Sequence, residues 1–110
     1  MKRVVTISEM DLCESAVVRG QVIGNTVVTM AGFGFTAAEL ANALYAFISV
    51  HTAPINFLCT GDPPMALFGH ELATGESILI GNNTDINNLQ LIRTTAVDSN
   101  VTVTLKWNLG

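Results

Sequence analysis

Three side chains in the middle of the sequence have the types that nucleophilic catalysis uses. Cys59 could supply a thiolate, His51 a general base and Asp62 the carboxylate that orients the base. However, a predicted strand over residues 54–59 places Cys59 on the same side as Phe57. An apolar, buried thiol is a poor nucleophile. We therefore expect no catalytic residue and no enzymatic activity, and rapid labelling of Cys59 at neutral pH would contradict this.

A metal site would need three or four converging ligands, and the histidines available are His51 and His70. The nearby carboxylates are Asp62, Glu71 and Glu76. Two histidines and one carboxylate inside a jelly roll hold iron in cupin-like enzymes, but the clustered spacing of such a set is missing here. We predict no metal site. A cupin-like metalloenzyme stays a third hypothesis, which requires both histidines to meet at one carboxylate.

The glycines and aromatic residues suggest two further kinds of binding site. Residues 32–35 alternate Gly and Phe before a predicted helix, but the third glycine, the lysine and the alternating βα pattern of a phosphate-binding loop are absent. Phe33, Phe35, Tyr45 and Trp107 could stack on sugar rings. Because aromatic residues make up only 6% of the chain, most of them are needed for the core. We predict no cofactor.

The segments that must position these residues are mostly short strands. Thr36 followed by Glu39 is a capping box, which predicts a helix of about two turns. Alternating apolar and polar residues predict strands, most clearly over residues 101–108. The other predicted strands cover residues 3–8, 45–50, 54–59, 71–72, 77–80 and 89–91, together with two β-branched runs inside 15–30. Residues 81–85 are predicted to be a polar loop.

Three short polar segments are typical of hairpin turns. They are Gly24-Asn25, Thr74-Gly75 and residues 98–100. In the last of these hairpins, Arg93 and Lys106 are expected to point outward near opposite ends. Seven to nine short strands with one short helix predict a mainly β fold. We expect an antiparallel β-sandwich or jelly-roll-like barrel that forms a single domain over residues 1–110.

Composition restricts the partners of this domain. Apolar residues make up 49% of the chain and charged residues 13%, against about 25% in an average soluble domain. Because charged side chains are depleted where proteins touch one another, we expect a homo-oligomer. The net charge of −4 and the scattered cations disfavour nucleic acid, and no apolar run is long enough to cross a membrane. Cys13 and Cys59 have no metal or disulfide spacing and are expected to be free thiols.

Turn and core residues between positions 46 and 105 form one pattern, made of residues 50–57, 61–64, 69–72, 74–76 and 86–93 and the alternating strand at the end of the chain. This pattern resembles that of small structural proteins of tailed bacteriophages and prophages. The resemblance implies a β-sandwich virion component of the capsid decoration or fibre-base type, usually a homotrimer, that contacts the major capsid or other virion proteins. It implies location in the virion, after assembly in the host cytoplasm.

Two functional hypotheses are considered in addition to the cupin-like metalloenzyme. The first is a virion structural or auxiliary protein, a capsid decoration or tail or fibre component, that acts through oligomeric contacts. The alternative is a small carbohydrate-binding β module. A sugar-binding module should present an aromatic platform to solvent, whereas an assembly protein should hide apolar surface in a symmetric interface.

Overall fold

The computed structural model describes residues 16–65 and 67–107. Within these ranges the chain is mainly β, as predicted, with eight strands and three short helices. The strands are β1 (Ala16–Ile23), β2 (Val28–Thr29), β3 (Tyr45–Val50), β4 (Ile55–Leu58), β5 (His70–Leu72), β6 (Ser77–Ile80), β7 (Gln90–Arg93) and β8 (Ser99–Lys106). The helices are a 3-10 helix (Ala31–Phe33), α1 (Ala37–Asn42) and α2 (Asn83–Asn87). The predicted strand over residues 3–8 lies outside the described residues.

The strands form two antiparallel sheets of four strands each. The first sheet has the order β1-β8-β3-β6 and the second has the order β2-β7-β4-β5. Strands that follow one another in sequence lie in opposite sheets, except β4 and β5, which pair directly. This alternation is the strand order of a jelly roll. The predicted antiparallel sandwich is therefore confirmed, and its specific form is the jelly roll.

The hydrophobic core lies between the two sheets and depends on the two-residue period of the central strands. In β8, the apolar positions Val101, Val103 and Leu105 are buried. In β3, every second residue is buried in the same way, including Ile48, which pairs with Val103. Because alternate side chains of a strand point to opposite faces, this pattern places one face of each central strand in the core.

The three predicted hairpins are wrong, because each turn carries the chain from one sheet to the other. Gly24 follows β1, yet its carbonyl accepts a hydrogen bond from the Arg93 backbone N–H on β7 in the second sheet. β1 instead pairs with β8 along all eight residues. β6 pairs with β3, and β5 with β4, so Thr74-Gly75 also joins two sheets. Long-range pairing with a central strand outweighs the local turn preference, since it satisfies more backbone groups.

The helices confirm one prediction and correct another. Thr36 begins α1 as predicted: its hydroxyl accepts from the Glu39 N–H at 3.1 Å, and the Glu39 carboxylate accepts from the Thr36 N–H at 2.8 Å. The polar loop predicted over residues 81–85 is instead the start of α2. The Asn82 side chain caps this helix by accepting from the Asp85 N–H at 3.2 Å. Asparagine is among the preferred N-cap residues, and this preference outweighed the loop composition.

The two cations expected to point outward behave differently. Arg93 is partly exposed and forms an ion pair with Asp98. Lys106 is fully buried, at 0% exposure, so the prediction that it points outward is wrong. The reason is its position in the sheet: β8 lies between β1 and β3, and Lys106 is flanked by Ala16 on one side and Tyr45 on the other.

Candidate functional site

An open cavity of about 780 Å³ lies between β5 and β6, the edge strands of the two sheets on one side of the sandwich. This volume falls within the range of small-molecule sites. The jelly roll brings its lining together from β3, the end of β4, β5, β6 and α2. The lining residues are Tyr45, Phe57, Leu58, Cys59, Thr60, His70, Glu71, Leu72, Ile78, Leu79, Ile80, Gly81, Asn82 and Asp85.

The cavity has an apolar floor and a polar rim. Phe57, Leu72 and Ile80 are core residues whose remaining exposed surface faces this space. The His70 ring lies 5.5 Å from the Phe57 ring, measured between centroids, in a tilted arrangement. The rim also carries Asp85, whereas strand alternation places the Glu71 side chain on the face of β5 opposite His70 and Leu72. An apolar surface with a few polar groups is typical of a site that binds an organic molecule.

Cys59 lines this cavity and packs against the core, as the predicted strand implied. Burial raises the pKa of its thiol, and the negative charge of Asp85 raises this pKa further. The thiol is therefore protonated at neutral pH and is a weak nucleophile. Cys59 forms no disulfide, in keeping with the expected free thiol, while Cys13 lies outside the described residues.

The residues considered for catalysis and metal binding have other partners. His51 Nε2 lies 2.9 Å from the Thr102 hydroxyl on β8, at the end of the first sheet. The Asp62 carboxylate accepts a hydrogen bond from Thr60 within the loop after β4. His70 instead faces the cavity beside Phe57, and the Glu71 side chain lies on the opposite face of β5. Across residues 16–65 and 67–107, no group of three or more His, Cys, Asp or Glu side chains could hold a metal ion.

The four aromatic residues considered for sugar stacking are divided between core and surface. Phe33 and Phe35 are buried and stack on each other with centroids 6.2 Å apart, so they are not available to a sugar. Trp107 is partly buried and packs against the core. Tyr45 is partly exposed and lines the cavity. The glycine-rich segment forms the 3-10 helix and a left-handed Gly34 at φ 94°, not a cradle for phosphate.

A second surface feature, which sequence reasoning missed, is the apolar tip of the loop between β4 and β5. We call Met65, Leu67 and Phe68 the loop tip; Leu67 is 96% exposed, and the other two are about 60% exposed. Two backbone hydrogen bonds, of 2.8 and 3.0 Å, join Met65 and Phe68. The Asn56 side chain donates to the Met65 carbonyl at 3.0 Å and so anchors the tip to β4. The sequence signal was an apolar run directly after Pro63-Pro64.

The described residues define the class of the protein: a jelly roll whose eight described strands form two sheets, with an open cavity between the sheet edges and an apolar loop tip. Comparison with models of known families, with curated proteins and with solved structures gave no match to this chain. In the described part of the chain, none of the helices has the length and apolar character needed to span a membrane.

Proposed function

We propose that this chain is a virion structural or auxiliary protein, such as a capsid decoration or tail or fibre component, that acts through homo-oligomeric contacts. The observation that carries this proposal is the loop tip. Three large apolar side chains stand exposed together, and two backbone hydrogen bonds join the first of them, Met65, to the last, Phe68. Exposed apolar clusters of this kind mark protein interaction sites.

The charges of the described residues also favour an apolar interface. Arg19 lies 3.4 Å from the Glu39 carboxylate, and its guanidinium covers the Phe35 ring. Arg93 is paired with Asp98, and Lys106 is buried. The cations of residues 16–65 and 67–107 are therefore engaged within the fold. Self-association through the loop tip should consequently be insensitive to moderate salt, since salt screens charges and leaves apolar contacts in place.

Two further points support a virion role. The jelly roll is a common fold of viral capsid subunits, although a fold alone does not define function. The sequence features within residues 46–105 resemble those of small structural proteins of tailed bacteriophages. In this proposal the chain forms a closed homotrimer, and each loop tip packs against the neighbouring subunit or a major capsid protein.

The test is the mass of the full chain in solution, measured by sedimentation equilibrium at several micromolar concentrations and two salt concentrations. We expect a mass three times the 11.7 kDa of the chain at both salt concentrations. Burying one leucine side chain is worth about 1.5–3 kcal/mol. Leu67→Asp should therefore raise the dissociation constant at least about tenfold.

The matched control is Val97→Asp, which adds the same charge at another exposed apolar position, in the loop between β7 and β8. This variant should keep the mass of the wild type. A monomeric wild-type protein at the highest concentration would refute self-association. An unchanged mass for Leu67→Asp would remove the loop tip from the interface.

A further inference from the structure

We propose that the cavity between β5 and β6 receives the loop tip of a second copy of this chain. This inference rests on the proposed function, because it requires homo-oligomeric contacts, and it adds the surface that receives each tip. Three observations carry it: the face of the sheet on which the tip lies, the apolar floor of the cavity, and the lack of charge on the tip.

The loop tip lies on the outer face of the second sheet. Asn56 stands between two core residues of β4, so its side chain points away from the core, and there it donates to the Met65 carbonyl. A Cβ placed at Gly69 would lie 3.1 Å from Asn56 Cβ, so the end of the loop passes over the same face. The cavity opens on the other side of β4 and β5, between the sheets, and Leu67 is 96% exposed. The tip of a chain therefore does not fill the cavity of that same chain.

The floor of the cavity matches an apolar side chain. The apolar lining residues that belong to the core or pack against it are Phe57, Cys59, Leu72, Ile78 and Ile80. A cavity of about 780 Å³ is large enough for an organic molecule, and so for the Leu67 side chain at the outermost point of the tip. Contact between them removes apolar surface of both the floor and the tip from water, which favours association.

The charges at the cavity also favour an uncharged occupant. The titratable groups that reach it are the Cys59 thiol, the His70 imidazole and the Asp85 carboxylate. Strand alternation turns Glu71 and Tyr45 to the outer faces of their strands. A charged ligand would lose its hydration over the apolar floor. The loop tip is uncharged, so it covers the floor while His70 and Asp85, which both have exposed surface, stay hydrated at the rim.

The tip and the cavity are different surfaces, so the contact between two copies is heterologous. Repeating a heterologous contact gives a ring when the rotation between subunits closes. In the homotrimer, each subunit gives its tip to one neighbour and receives the tip of the other. The arrangement fills every cavity and leaves no tip exposed.

Chemical linking of two different full-length chains tests this contact. The first chain carries Cys13→Ser, Cys59→Ser and Leu67→Cys, so its one thiol lies at the tip. The second carries Cys13→Ser and a mass tag, so its one thiol is Cys59 in the cavity. After subunit exchange, a short bifunctional thiol reagent is added at alkaline pH, because burial raises the pKa of Cys59. Its spacer avoids the strict geometry of a direct disulfide. We expect a covalent product that contains one chain of each kind.

The matched control replaces Leu67→Cys by Val97→Cys, at another exposed apolar position, and should give no mixed product. A second measurement uses the Cys13→Ser chain alone. Raising its concentration through the range of association should slow the alkylation of Cys59, and Leu67→Asp should abolish this protection.

Three results would overturn the proposal: tips linked only to tips, equal linking from Val97→Cys, or alkylation of Cys59 at a rate independent of concentration. If the wild type still has the mass of three chains, the proposed assembly stands and only the receiving surface is wrong. A monomeric wild type would refute both.

Discussion

The contact between the two α-helices gives a prediction whose size follows from the structure. The last carbonyl groups of a helix have no partner inside the helix. At the end of α1, the Asn83 side chain on α2 fills this role: its Nδ2 donates to the Leu40 carbonyl at 2.9 Å and to the Ala43 carbonyl at 2.7 Å. Asn87 adds a donor to the Leu40 carbonyl at 3.0 Å. Two asparagines of α2 therefore join it to the end of α1, and Asn83 is the one that contacts both carbonyl groups.

Replacing Asn83 with alanine removes both short hydrogen bonds. Leu40 keeps a partner in Asn87, whereas the carbonyl of the buried Ala43 loses the donor described above. A hydrogen bond contributes about 1 kcal/mol to stability, so the loss is about 2 kcal/mol. The higher helix propensity of alanine offsets a few tenths of a kcal/mol. We expect Asn83→Ala to lower the free energy of unfolding by nearly 2 kcal/mol.

Urea unfolding, monitored by circular dichroism, measures this difference. The slope of the unfolding free energy against urea concentration should be the same for the variant and the wild type. Asn42→Ala is the matched control: the Asn42 side chain is exposed and donates only to the Ala38 carbonyl in its own helix, at 3.0 Å. This control should stay within about 0.5 kcal/mol of the wild type. Equal stabilities of the two variants would refute the role of Asn83 as a connection between the helices.

Two further predictions concern the core and the capping box. Ile48→Ala should lower the free energy of unfolding by about 2–5 kcal/mol, because Ile48 is fully buried on a central strand, whereas Val97→Ala at an exposed position should change it by less than about 0.5 kcal/mol in the same urea assay. The hydrogen bond from the Thr36 backbone N–H, with help from Arg19, lowers the pKa of Glu39 below 4.5. The ionised carboxylate therefore stabilises the fold above that value, and this contribution is lost as pH falls through the lower folded-state pKa. The stability difference between wild type and Glu39→Gln should shrink on acidification, and a difference that is constant with pH would refute this assignment.

The elements that sequence reasoning predicted correctly depend on local signals. The two-residue alternation of β8 identified that strand, because one of its faces lies in the core, and the β-favouring residues 45–50 identified β3. The capping box at Thr36 and Glu39 identified the start of α1, because both hydrogen bonds form within four residues. In each case the signal and the structure that it produces occupy the same short stretch of chain.

Strand pairing could not be predicted in the same way. A turn such as Gly24-Asn25 is compatible with a hairpin and with a crossing between sheets, and the choice depends on which distant strand is free to pair. Here β1 pairs with β8, so Ile23 meets Ser99, and the turn after β1 enters the second sheet. Loop-closure entropy opposes such distant pairing, but it rises only slowly with loop length. Burial of the central strands β8 and β3 therefore decides the order.

The error at α2 and the failure to predict the cavity have one cause. If residues 81–85 form a polar loop, Asp85 is simply one of the nine acidic residues of the chain. Nothing in the sequence then relates it to Tyr45 or Cys59. Once Asn82 caps a helix, Asp85 is held in its first turn and lines the cavity beside the end of β4. The position of Asp85 at the cavity thus depends on a cap of a few residues. Asn82→Ala removes the acceptor of the Asp85 N–H and should lower the free energy of unfolding by about 1 kcal/mol in the urea assay, and an unchanged value would contradict the role of this cap.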